Sequence, residues 1–77
     1  MSVEFDQENF RRAVLDIVET DHLFHLLKDV IDARRAAGVP DEALIAVLSR
    51  LRLDLQDEGR EEDEEFVANG LDEITGW

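Results

Sequence analysis

The chain has 77 residues, no Cys and 20 acids against eight bases, for a formal charge of −12. That length allows one domain, residues 1–77, burying about 60% of its unfolded surface. It excludes disulfides and thiolate metal sites, and the charge opposes binding to nucleic acid or anionic membranes. The uncharged run between Glu42 and Arg50 is far too short to span a bilayer. The expectation is a soluble, cytoplasmic protein without a cofactor.

The first periodic segment runs from about Asp6 to Thr20. Phe10, Ala13, Val14, Ile17 and Val18 recur at three- and four-residue steps and share one helix face. Asp6 suits the N-cap, and Glu8 suits the helix dipole. Residues 1–5 form a candidate extended arm, with Val3 and Phe5 on one side.

The second segment runs from about Asp21, a candidate cap, to Ala37. Its stripe of Leu23, Phe24, Leu26, Leu27, Val30 and Ile31 is wide enough to predict more than one neighbour. No Gly or Pro separates it from the first, so a break at Thr20 stays open. Arg34 and Arg35 lie in its last turns, and Gly38 suits a left-handed cap.

"GVPDEAL" is a stop followed by a start, with Pro40 suited to the first position of a helix running to about Asp57. Leu44, Val47, Leu48, Leu51 and Leu55 lie on one face. Ile45 and Leu53 fall off it, for a second contact or for solvent. Gly59 ends this helix.

Phe66, Val67, Gly70, Leu71 and Ile74 then follow at helical spacing. Gly70 either breaks this last helix or marks a close approach, since a mid-helix Gly costs about 1 kcal/mol against Ala. Trp77 is expected as an apolar plug against the bundle. The predicted architecture is all-α: a compact bundle of three longer helices plus a short C-terminal helix.

Catalytic chemistry finds little support, and the chain is not expected to be an enzyme. The hydroxyls are Ser2, Thr20, Ser49 and Thr75, and no glycine-rich phosphate loop occurs. His22 and His25 stand three apart, but without the Glu or Cys that complete the usual helical zinc patterns. The plainer expectation puts His25 at the core edge beside Asp29 and leaves His22 exposed. A helix-turn-helix around "AAGVP" would present Asp41 and Glu42 where phosphate contacts belong, so no direct nucleic-acid binding is expected.

The strongest feature is "DLQDEGREEDEEFV", residues 54–67. Asp54, Asp57, Glu58, Glu61, Glu62, Asp63, Glu64 and Glu65 exceed what a helix N-terminus needs. Residues 53–77 carry ten acids and one base. Repulsion among them predicts raised carboxyl pKa values, and stability that grows with salt and mild acidification. An excess held despite repulsion reads as a binding surface for an Arg- and Lys-rich protein. Asp6, Glu8 and Asp16 are candidate additions to it.

The ending "EEFVANGLDEITGW" resembles that of small acidic bacterial proteins encoded as immunity partners of secreted toxins. In those, an acid-rich run leads into a short helix ending in D-x-hydrophobic-small-Gly-Trp, matched here by Asp72, Ile74, Thr75, Gly76 and Trp77. The resemblance implies neutralising binding to one cognate toxin, often a nuclease with a basic active site. The expected function is an immunity-type inhibitor occluding a basic, nucleic-acid-handling partner. One alternative is a phage or plasmid nucleic-acid mimic that inhibits a host defence system. A second is a homo-oligomeric assembly module, with Leu23, Leu26, Ile45 and Leu53 as the face of a homodimer.

Overall fold

The computed structural model describes residues 5–20 and 22–76. Four helices follow in order: α1 (Gln7–Thr20), α2 (Phe24–Ala36), α3 (Asp41–Asp57) and α4 (Glu61–Thr75). Among the described residues there is no strand. Residues 1–4 of the expected arm, the Asp21 cap and the Trp77 plug lie outside the described residues.

Local chemistry sets the helix ends. The Asn9 N–H donates to the Asp6 carboxylate at 3.0 Å, so Asp6 caps α1. Pro40 takes the N-cap of α3 rather than its first helical position, with φ −67° and ψ 147°. Gly59 has φ 74°, and Arg60 and Gly59 donate back to the carbonyls of Leu55 and Gln56 at 2.9 and 3.1 Å. That pair of bonds is the left-handed cap in which Gly is the least strained residue.

The α1–α2 reversal uses no glycine. His22 itself takes the left-handed region, at φ 49°, and donates its N–H to the Ile17 carbonyl at 3.3 Å. A non-glycine residue there costs on the order of 1–3 kcal/mol, so other contacts must hold His22 in place. The second helix therefore starts at Phe24, three residues later than the apolar pattern suggests.

Contacts give an alternating order of helix directions. Along α2 and α4, His22 meets Asp63, Phe24 meets Phe66 and Lys28 meets Glu73, so these helices run the same way. Arg34 of α2 reaches back to Asn9 of α1, so α1 opposes α2. The α3–α4 hairpin makes the most extensive pairing. The radius of gyration is 11.8 Å, close to the roughly 11.5 Å of a compact chain this long.

The core consists of one cluster. Phe10, Leu27, Ile31, Leu44, Leu48, Leu51, Leu55, Val14 and Val67 are its fully buried members, and Val39 in the α2–α3 turn joins it. Phe5 stacks obliquely on Phe10 at 5.7 Å between ring centroids.

The expected length of the last helix is also corrected. The last helix is not short: α4 has 15 residues, against 14 in α1 and 13 in α2. Gly70 does not break it. A Cβ built there would lie 2.8 Å from Leu27 Cδ2 and 3.5 Å from Ile31 Cδ1. The missing side chain is the notch that lets α2 close onto α4.

This notch sets a double-mutant cycle. Gly70→Ala gains about 1 kcal/mol of helix propensity but overpacks Leu27, which costs roughly 1–3 kcal/mol. In the parent it should leave stability equal or lower in urea titrations. In a Leu27→Ala background the same change should stabilise by about 1 kcal/mol. Equal effects in both backgrounds would show that the notch is not required.

Candidate functional site

All eight acids of residues 54–65 lie at the α3–α4 turn and its flanks, on the last turn of α3, the loop and the first turns of α4. The bundle packing divides them into two sets. Asp54, Asp63 and Glu64 are half-buried and paired; Asp57, Glu58, Glu61, Glu62 and Glu65 are exposed, with no ion partner among the described residues.

The paired set is held by arginines of α1 and α3 and by Arg60 within the run itself. Arg11 of α1 donates to Asp54 Oδ2 at 2.8 Å, and Arg50 Nε approaches its other oxygen at 3.6 Å. Arg52 of α3 donates to Glu64 Oε1 at 3.1 Å, while its Nε is buried without a partner. Arg60, inside the acidic run, donates to Asp63 Oδ2 at 2.7 Å.

Asp63 also receives His22 Nε2 on Oδ1, at 2.5 Å. The His22 ring lies flat on Phe66, 4.9 Å between centroids and 9° between planes, and Phe24 meets the same ring edge-on at 6.4 Å. These contacts hold the left-handed turn and tie it to the start of α4. His22 is exposed as expected but engaged, and it is the placement of His25 at the core edge that is corrected. His25 is exposed and makes no ion pair with Asp29. Among the described residues no cluster of three or more His, Asp or Glu could hold a metal ion.

The exposed acids border two shallow depressions. One, of about 420 Å³, lies between α3 and α4 and is lined by Arg52, Gln56, Glu61, Glu64 and Glu65 with Gly59 and Ala68. Three carboxylates face one guanidinium there. The other lies at the α4 N-terminus, between Gly59 and Asp63, and includes Glu61 and Glu62. Their half-buried carboxyls, Glu64 in the first and Asp63 in the second, are engaged by Arg52 and by Arg60 and His22. Both depressions present carboxylates to solvent beside the α4 N-terminus, whose dipole favours them.

The expectation of raised carboxyl pKa values fails at Asp63. Partial burial pushes this carboxyl up, but hydrogen bonds from Arg60 and His22, with their charges, outweigh it and hold it below the usual value. The Arg60 guanidinium is raised in return, first by its bond to Asp63.

A carboxyl depressed in the folded state adds stability above its unfolded pKa, near 4, and loses it as pH falls through the lower folded value. Asp63→Asn should therefore destabilise the protein at neutral pH. The gap to the parent should close as urea titrations move from about pH 6 to about pH 3. A gap independent of pH would mean that Asp63 contributes packing rather than charge.

No helix among the described residues is long and apolar enough to cross a membrane. No family model, no curated protein and no solved structure matches this chain.

Proposed function

We propose that the protein is an immunity-type inhibitor that binds a basic, nucleic-acid-handling protein and occludes its phosphate-binding surface. The observation that carries this reading is the unpaired set: Asp57, Glu58, Glu61, Glu62 and Glu65, exposed around one turn without an ion partner among the described residues. Arg11, Arg52 and Arg60 neutralise other acids and leave these five to solvent. Gln56 and Arg52, flanking Glu61 and Glu65, leave a groove of net negative charge.

Occlusion needs no chemistry from the inhibitor. Carboxylates pair with the Arg and Lys that would otherwise grip phosphate, and charge-assisted bonds at a desolvated interface are the strong ones. The long-range field of a −12 chain speeds encounter with a positive partner. A rigid helical hairpin keeps the carboxylates in fixed places, so little ordering cost falls on binding. A nucleic-acid mimic acting on a host defence protein would use the same five groups.

The test begins with capture of basic proteins from host lysate at low and high salt, then binding kinetics on the partner found. Glu58→Gln, Glu61→Gln and Glu62→Gln together should keep the helical circular dichroism spectrum and slow association by roughly tenfold or more. Asp32→Asn, Glu42→Gln and Asp72→Asn remove the same charge elsewhere, and should change association far less. Equal effects from the two triples would reduce the acidic end to general solubility.

A further inference from the structure

The broad apolar stripe of α2 is only half used by the core. Leu27 and Ile31 are fully buried, but Leu23, Phe24 and Leu26 remain 37%, 37% and 40% exposed. Leu23 and Leu26 join Ile17 and Thr20 to line a groove of about 230 Å³ between the end of α1 and the start of α2. Its walls are almost wholly apolar, and Asp16 is the one charged side chain among them. The volume falls below the roughly 300 Å³ at which small-molecule sites begin. It suits one or two side chains of a protein, the size of an interface anchor.

The rim selects the occupant. Asp16 has no ion partner among the described residues; Arg12, one turn back, does not pair with it. Glu19, three residues on, has only Arg60 at 4.0 Å, and that guanidinium is bound more closely by Asp63. Asp29, one helical turn after Leu26, is exposed and likewise unpaired, while the adjacent Lys28 is turned to Glu73. A second copy of a −12 chain would bring its own acidic rim against this one. An anionic lipid surface would be repelled in the same way.

The groove also adjoins the acidic end. The His22–Asp63 and Arg60–Glu19 contacts join the α1–α2 turn to the start of α4. We propose that this groove seats an apolar anchor from a basic amphipathic segment of the partner, with Asp16, Glu19 and Asp29 pairing the Lys or Arg beside the anchor. The inference rests on the reading of a basic partner and adds which part of that partner is recognised. Apolar anchors at helical spacing, flanked by bases, are what such a groove reads.

The test uses three synthetic helical peptides titrated into the isotope-labelled full chain, followed by NMR. One carries Leu at i, i+3, i+4 and i+7 among Lys; the second replaces each Leu with Ala; the third replaces each Lys with Glu. The Leu–Lys peptide should shift Ile17, Leu23 and Leu26, and bind at least about tenfold tighter than the Ala–Lys peptide. Leu23→Ser with Leu26→Ser should erase that preference; both positions are exposed, and retained circular dichroism confirms the fold. If both Lys peptides bind equally and shift only residues 57–65, the groove proposal falls while the acidic-surface reading stands. If neither Lys peptide binds anywhere, both fall. Equal binding of the Leu–Glu peptide overturns the role of the rim. Self-association that buries Leu23 and Leu26 overturns the proposal in favour of a second copy.

Discussion

The close approach of α2 to α4 at Gly70 is the contact on which the rest of the arrangement depends. Leu27 enters the space a side chain would fill, and that places α2 in a definite register along α4. With Leu27 over Gly70, one turn earlier Phe24 meets Phe66, and His22 meets Asp63. On the other side Lys28 comes within 3.7 Å of Glu73. The register thus brings the α1–α2 turn beside the start of α4. The acidic end and the apolar groove are neighbours because one glycine lets two helices close. The helix propensity lost at Gly70 is offset by the burial of Leu27 and Ile31, each worth about 1.5–3 kcal/mol.

Much of this fold was legible in the sequence, and the division follows the range of the interactions. The α3 face of Leu44, Val47, Leu48, Leu51 and Leu55 is buried as its spacing predicts, since helical periodicity is local. The turns at Gly38–Pro40 and at Gly59 carry their own punctuation. The α1–α2 turn does not: His22 takes the left-handed conformation because Phe66 and Asp63, more than 40 residues on, hold its ring. The role of Gly70 needed Leu27. The stripe of α2 was read by width alone, and width does not say whether a face is covered. Leu23 and Leu26, read as part of that stripe and as one candidate homodimer face, stay exposed and line an open groove.

The acidic site was legible as a set of residues but not as a charge distribution. Eight carboxylates stand within twelve positions, and a linear reading treats them alike. Folding sorts them. Arg11 and Arg52 come from distant positions in the chain to Asp54 and Glu64, pairs that no local spacing announces. Arg60, three residues before Asp63, and Arg50, four residues before Asp54, were the local hints. Exposed ion pairs are each worth about 0–1 kcal/mol, so they do not hold the fold together. They lower the cost of bringing two helix ends and a loop, all acidic, to one place. The core supplies the stability, and the arginines make that placement tolerable.

Charge alone would make this a fast but indiscriminate binder. Electrostatic steering raises encounter rates with any positive surface, and it weakens with salt. Discrimination comes from contacts a wrong partner cannot make, such as an apolar side chain that must find a fitting depression. The proposed functions differ on this point. A nucleic-acid mimic needs only carboxylates at suitable spacing, because the surface it deceives was built to read phosphate. An inhibitor committed to one partner gains from an anchor site beside the charge. Nothing in solubility or helix capping calls for Leu23 and Leu26 to stand open beside an acidic rim. Apolar residues exposed singly are normal, whereas several converging on one patch mark an interaction site. Leu53, exposed alone at 59%, is the ordinary case of a surface apolar residue. Leu23, Leu26 and Ile17 differ because they converge on one groove, at a turn that His22 and Glu19 tie to Asp63 and Arg60 of the acidic end. That convergence favours the dedicated inhibitor over the mimic.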